Sequence, residues 1–187
     1  MNAGSRIPLW IIALLAALCL GVLAWTTFGF VVPFKHETGQ AVLDVYFAGY
    51  DELTVGRMQR LLEQNEVADN LLRAMYLGPE LIFPALLATL LFLVILRLRT
   101  AVPDQARPTS SLVLKVISAL PFVYGVADYG ENLSSLIAFG DSTSATFAAG
   151  ILPWMTKLKF ASLAVCLILI VRFAIIRYMA LGQREER

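Results

Sequence analysis

Two carboxylates and an amide stand one helical turn apart inside an apolar run. Asp128, Glu131 and Asn132 lie within the stretch from Leu112 to Phe139. On insertion scales an aspartate near the middle of a spanning helix costs about 2.5–3.5 kcal/mol. A chain carries that cost only where other helices or a cavity receive the side chain. If the run is helical, Tyr124, Asp128, Glu131 and Ser135 follow steps of four, three and four and share one face. Asn132 lies at the edge of that face. Gly125 and Gly130 allow a second backbone to come close. At 1.5 Å per residue, Glu131 lies about 12 Å and Asp128 about 17 Å below Phe139. Glu80 opens the preceding apolar run on the same side. The expectation is an acidic cluster of Glu80, Glu131 and Asp128, graded by depth and reached from that side. Carboxylates so close, away from water, do not all ionise. At least one is expected to hold a proton and donate it to a neighbour or to Asn132.

Three kinds of chemistry fit these residues. The first is a polar clasp, in which Asp128, Glu131 and Asn132 bond Tyr, Ser or backbone groups of other helices. The second is a pocket for a lipid-like or amine-bearing molecule, or for a proton or cation in transit, lined by Glu80, Tyr124, Asp128, Glu131, Asn132 and Ser135. The third is catalysis, with Asp128 and Glu131 as acid and base on a membrane-dissolved substrate. Two carboxylates one turn apart suit isomerisation, hydrolysis or neither, so the spacing leaves all three open.

The elements that position these residues are spanning helices. Of the 187 residues, 58% are hydrophobic and 16% charged, and the mean hydropathy is +0.72. This is membrane composition, and the length suits one membrane domain, 1–187. The net charge of +1 gives no basic field for nucleic acid. His36 is the one histidine, so bis-histidine haem and a histidine-rich zinc centre within one chain are excluded. If a metal binds, His36, Glu80 and Glu131 are the combination on offer. The simpler reading of His36 is an interfacial side chain, and no metal or cofactor is expected. Cys19 and Cys166 sit in apolar runs and form no CxxC, so they read as small buried hydrophobes.

The fold class expected is all-α: a four-helix membrane bundle with spans at about 7–32, 79–98, 112–139 and 153–176. The first run is longer than a signal-peptide core and reads as a retained span. Trp10 and Trp25 anchor its ends, and Pro33 closes it. Between the first two spans, 34–77 is polar and acidic. Its apolar residues recur at helical spacing over 52–64 and 67–77, giving two short amphipathic helices that either lie on the bilayer or cap the bundle. Tyr46, Phe47, Tyr50, Phe28 and Phe30 read as packing and headgroup-level anchors. Gly78-Pro79-Glu80 is a helix stop followed by a helix start. Pro84 and Pro121 are expected to tilt or kink their helices. Thr100 to Ser110 reads as a tight connection, and Ala145 to Leu152 as a turn or interfacial piece. No internal repeat is evident.

Flanking cations set the expected orientation. Arg6, Arg97, Arg99, Arg107, Lys115, Arg172, Arg177, Arg184 and Arg187 fall on one side. Lys35, Arg57, Arg60, Arg73, Lys157 and Lys159 fall on the other, with most of the acids. Arg172 lies near its span's end and can snorkel. The bias places both termini in the cytoplasm, in an inner (plasma) membrane. The partners expected are membrane lipids, a small amphipathic or cationic ligand, and a membrane-protein partner or second copy; nucleic acid is not expected.

At Asp128-Tyr129-Gly130-Glu131-Asn132 the chain resembles a family of small, uncharacterised bacterial inner-membrane proteins with four spans and an Asp-x-x-Glu-Asn motif in the third. Leu43-Asp44, Gly49-Tyr50 and the Tyr76 to Pro84 junction extend the likeness over most of the chain. The resemblance implies the topology. It also implies an aspartate near the start of the second span, where this chain has Glu80. A looser likeness, of architecture alone, is to four-span sterol isomerases and sigma-type receptors, which keep acids in a membrane pocket.

Overall fold

The computed structural model of the chain describes residues 7–100, 110–140 and 143–185. Four helices are long and apolar enough to cross a membrane. We label the helices α1 (Leu9–Thr38), α2 (Glu52–Glu63), α3 (Glu66–Leu77), α4 (Pro79–Thr100), α5 (Ser111–Ala138) and α6 (Ala145–Glu185). There is no strand among the described residues. The protein is an all-α, multi-pass membrane bundle.

The two short helices form where the sequence pattern places them. Asp51 caps α2 by accepting from the Thr54 amide at 2.9 Å, and Asn65 caps α3 by accepting from the Ala68 amide at 3.0 Å. Such caps satisfy amides that a helix start leaves without partners. The apolar stripes of both helices are buried. Val55, Met58, Leu62, Ala68, Leu72, Met75 and Tyr76 pack with Phe34, Val42, Leu43, Tyr50 and Leu152. The pair therefore caps one end of the bundle rather than lying flat on a bilayer.

α5 is the centre of the bundle. It packs between α4 and α6, α4 also touches α6, and α1 packs on α4. At the end away from the cap, Ala88, Leu91, Ile95, Ile117, Tyr124, Cys166 and Phe173 form a second apolar core. α1 is the least embedded span, with Cys19, Thr26 and Phe34 its buried residues. Arg97 donates to the Ile7 carbonyl, so the start of α1 lies beside the end of α4. Cys19 and Cys166 are buried free thiols.

Two boundaries differ from the sequence reading. Pro33 does not close the first helix. A wide π turn at Thr27–Val31 precedes it, and the helix runs to Thr38 before Gly39 ends it at φ 71°. Proline is tolerated there because the widened turn already interrupts the regular ladder it cannot join. Residues 145–152 are not a turn either: they are the first turns of α6, and Pro153 lies inside that helix. Their small side chains let the helix continue against α2, where a Cβ on Gly150 would sit 3.6 Å from Glu52 Oε1. Arg6, the 101–109 connection with Pro103, Asp104, Arg107 and Pro108, the loop residues Asp141 and Ser142, and the terminal Glu186 and Arg187 lie outside the described residues.

Candidate functional site

The α5 face assembles as its spacing dictates. Tyr124, Asp128, Glu131, Asn132 and Ser135 are all buried, Asp128 at 1% exposure and Glu131 at 0%. Glu80 is buried at the start of α4. Pro84, one turn on, lacks the N–H that would bond the Glu80 carbonyl. Asn132 Nδ2 donates to that carbonyl at 3.1 Å, and Tyr129 donates to the Leu81 carbonyl at 2.8 Å. One polar residue of the motif thus repairs the backbone gap that the proline opens, as dry surroundings require. Gly125 allows the close approach of the two helices: a Cβ there would lie 3.3 Å from Ala88 Cβ and 3.7 Å from the Pro84 carbonyl. Gly130 faces α6, where a Cβ would meet Met155 Sδ at 2.9 Å.

The partner of the acids is a lysine. Lys159 Nζ lies 2.6 Å from Glu131 Oε2 and 2.9 Å from Asp128 Oδ1. The sequence places Lys159 among the flanking cations; in the structure it is buried, at 8% exposure. The reason is its register on α6. Leu152, Thr156, Lys159, Ser162 and Cys166 repeat at helical spacing and are all buried, whereas Lys157 is exposed. Thr156 Oγ1 donates to Glu131 Oε1 at 2.5 Å, and Tyr124 donates to Asp128 Oδ2 at 2.6 Å. The acids are therefore compensated chiefly by an ammonium and two hydroxyls. The sequence points to a shared proton or to hydroxyl and backbone partners, and not to an ammonium.

The cap reaches the same cluster. Tyr50 and Thr156 share a hydrogen bond of 2.8 Å, and Tyr76 donates to Asp44 Oδ1 at 2.6 Å. Asp44 as a residue is half-buried, yet its Oδ2 is out of solvent and has no donor. Burial pushes the Asp44 carboxyl above the usual carboxylate range, with Lys159 the chief opposing influence. Burial likewise raises the Tyr50 phenol. Asn132 Oδ1 and Ser135 Oγ are also buried without partners. Asp128 Oδ1 lies near the ammonium but off the angle of a hydrogen bond.

Two carboxylates, Asp128 and Glu131, contact the Lys159 ammonium, so the pair carries one more acid than cation, and Glu80 and the Oδ2 of Asp44 are buried as well. In low dielectric such a surplus favours whatever brings positive charge, whether a proton or a cation. A chain of hydrogen bonds, completed by the Lys159–Asp128 ion pair, runs from Tyr50 through Thr156, Glu131, Lys159 and Asp128 to Tyr124 and ends against the second apolar core. The polar network is continuous toward the cap and meets apolar packing at its far end.

His36 is exposed on the last turn of α1. Among the described residues no three His, Cys, Asp or Glu side chains are placed to hold a metal ion. His36, Glu80 and Glu131 are not brought together. Thr156, Lys159, Tyr50, Asp44 and Tyr76 are the members that the sequence reading missed. The three-residue step from Thr156 to Lys159 and on to Ser162 was the available signal on α6. Asp44 and Tyr50 sit in an irregular segment, where no periodicity marks an inward side chain. No protein-family model, curated protein or solved structure matches this chain.

Proposed function

We propose that this membrane protein binds a small cationic, amine-bearing molecule at the acid cluster, entering from the side that carries α2 and α3. One observation carries the reading: a primary ammonium, that of Lys159, already bridges Asp128 and Glu131. The carboxylate pair is shaped for such a group, and the surplus of acids favours further positive charge. A ligand's amine would take the place that Lys159 holds in the closed arrangement. Tyr124, Asn132, Ser135 and Glu80 complete the lining. The cation bias supports an orientation with both termini in the cytoplasm, so that the ligand arrives from the exterior. The resemblance at Asp128 to Asn132 supports a bacterial inner membrane.

The test is chemical rescue of Lys159→Ala in detergent. The variant is expected to unfold at a lower temperature than wild type. n-Propylammonium, which restores the methylenes and the ammonium that the substitution removes, should raise it again. Tetramethylammonium and n-propanol should not. If no primary amine stabilises the variant beyond a matched salt control, the proposal is wrong.

A second reading has its own observation. Glu131, Ser135 and Thr156 are at 0% exposure, which favours a closed polar clasp that holds α4, α5 and α6 in register. A clasp predicts the loss of stability in Lys159→Ala without selectivity among the added amines.

A further inference from the structure

The segment between α1 and α2 crosses the cap end of the cluster and has the makings of a hinged cover. Its two flanking glycines, Gly39 and Gly49, take left-handed conformations at φ 71° and 81°. Such angles cost glycine little and other residues more. Between them Val42 and Leu43 insert into the cap core, while Val45 and Phe47 face outward. Two side chains latch the segment. Asp44 accepts from Tyr76 on α3, and Tyr50 bonds Thr156 on α6. Thr156 in turn bonds Glu131, so lifting Tyr50 breaks the outer link of the cluster's own network.

We infer that residues 40–50 form a strap that closes over the acid cluster when Asp44 holds a proton and loosens when Asp44 ionises. The geometry behind this is the Asp44 carboxylate itself. Oδ1 accepts from Tyr76 alone, and Oδ2 is out of solvent with no donor. The groups that act on Asp44 come from every neighbouring element: Tyr50 of the strap, Tyr76 of α3, Glu80 of α4, Asp128 and Glu131 of α5, and Lys159 of α6. Three of these add negative charge when ionised and one adds positive. A carboxylate released to water escapes both its burial and those neighbours.

The sign follows from linkage. Asp44 in the closed strap is a weaker acid than in water. The closed form therefore binds the proton more tightly than the open form. Above the ordinary aspartate value, about pH 4, rising pH favours opening. The effect grows by up to about tenfold in the equilibrium per pH unit, and it levels off above the closed-state value. The inference rests on the cation-site reading, since the strap controls access to that site. It can fail separately: amine rescue of Lys159→Ala without strap titration would spare the site and remove the strap.

Hydrogen exchange of the full-length protein in detergent tests it, read by mass spectrometry on peptides covering residues 40–50 and corrected for intrinsic rate. Exchange there should increase with pH above about pH 4, relative to α5 peptides. Asp44→Asn keeps an acceptor for Tyr76 and cannot ionise, so it should flatten that dependence. A flat wild-type profile overturns the inference, and so does an unchanged slope in Asp44→Asn. Should Asp44→Asn fail to fold, Tyr76→Phe takes its place. It removes the donor that helps Asp44 to ionise while closed, and must increase opening at every pH above the threshold; a profile identical to wild type overturns the inference.

Discussion

Lys159 on α6 and Glu131 on α5, 28 positions apart, meet at 2.6 Å with both side chains out of solvent. Removing one partner of a buried pair leaves the other charge unanswered, at a typical cost of about 3–5 kcal/mol. Lys159→Met should therefore destabilise the protein by roughly that amount in reversible denaturation. Lys157→Met is the control, because Lys157 is exposed beside the Trp154 ring at 4.9 Å. It should change stability by less than about 1 kcal/mol. Equal effects for the two lysines would contradict the burial of Lys159.

Asp128 and Glu131 share that ammonium unequally. Glu131 accepts hydrogen bonds from both Lys159 and Thr156, whereas the Asp128 contact with Lys159 is misaligned for one. A double-mutant cycle of Glu131→Gln with Lys159→Met should give a coupling of about 1–3 kcal/mol. The cycle with Asp128→Asn should give a smaller one. The reverse order would require Asp128 to be the main counter-ion.

The two glycines of α5 make opposite predictions. At Gly125 a methyl group meets the α4 backbone region around Pro84 and Ala88. Gly125→Ala should force the helices apart and cost about 1–3 kcal/mol. At Gly130 the obstacle is the flexible end of Met155. Gly130→Ala should be near neutral, since alanine gains about 0.5–1 kcal/mol in a helix interior. Thermal unfolding of both variants, with helicity followed by circular dichroism, decides the point.

pH should act on the cap in two directions. Asp51 accepts from the Thr54 amide and hydroxyl, which hold its carboxyl below the usual range. Its cap is intact above the ordinary aspartate value and is lost as pH falls through its lowered one. Exchange at the first turn of α2 should therefore rise as pH falls below about 4, whereas exchange in the strap should fall as pH is lowered toward about 4. A single direction of change across residues 40–55 would contradict the opposite environments of Asp44 and Asp51.

The parts that were legible in the sequence share a physical cause. Long apolar runs have one use, and an acid inside one must turn inward, so the spans and the Tyr124–Ser135 face could be read directly. The amphipathic pair at 52–64 and 67–77 was marked by its stripes. Lys159 was not legible as a partner because a lysine a turn or two into a span is equally suited to snorkelling. Only its register with Thr156 and Ser162 separated it from Lys157. Pro33 and Pro153 misled for a related reason. Proline breaks a ladder in water, but in a packed bundle a wide turn or a neighbouring helix compensates for the lost bond. Asp44 and Tyr50 lie where no repeat exists, so only tertiary packing revealed them.

The central claim is that one ammonium lies between two carboxylates inside the bundle. Solid-state NMR of the protein in lipid bilayers can measure it, through dipolar recoupling between lysine ¹⁵Nζ and carboxyl ¹³C. The nitrogen–oxygen separations of 2.6 and 2.9 Å place the Lys159 nitrogen about 3.5–4 Å from the Glu131 and Asp128 carboxyl carbons, and both couplings should vanish in Lys159→Met. Absence of any such coupling in the wild-type protein, with Lys159 resonating as a solvated surface lysine, would contradict the account.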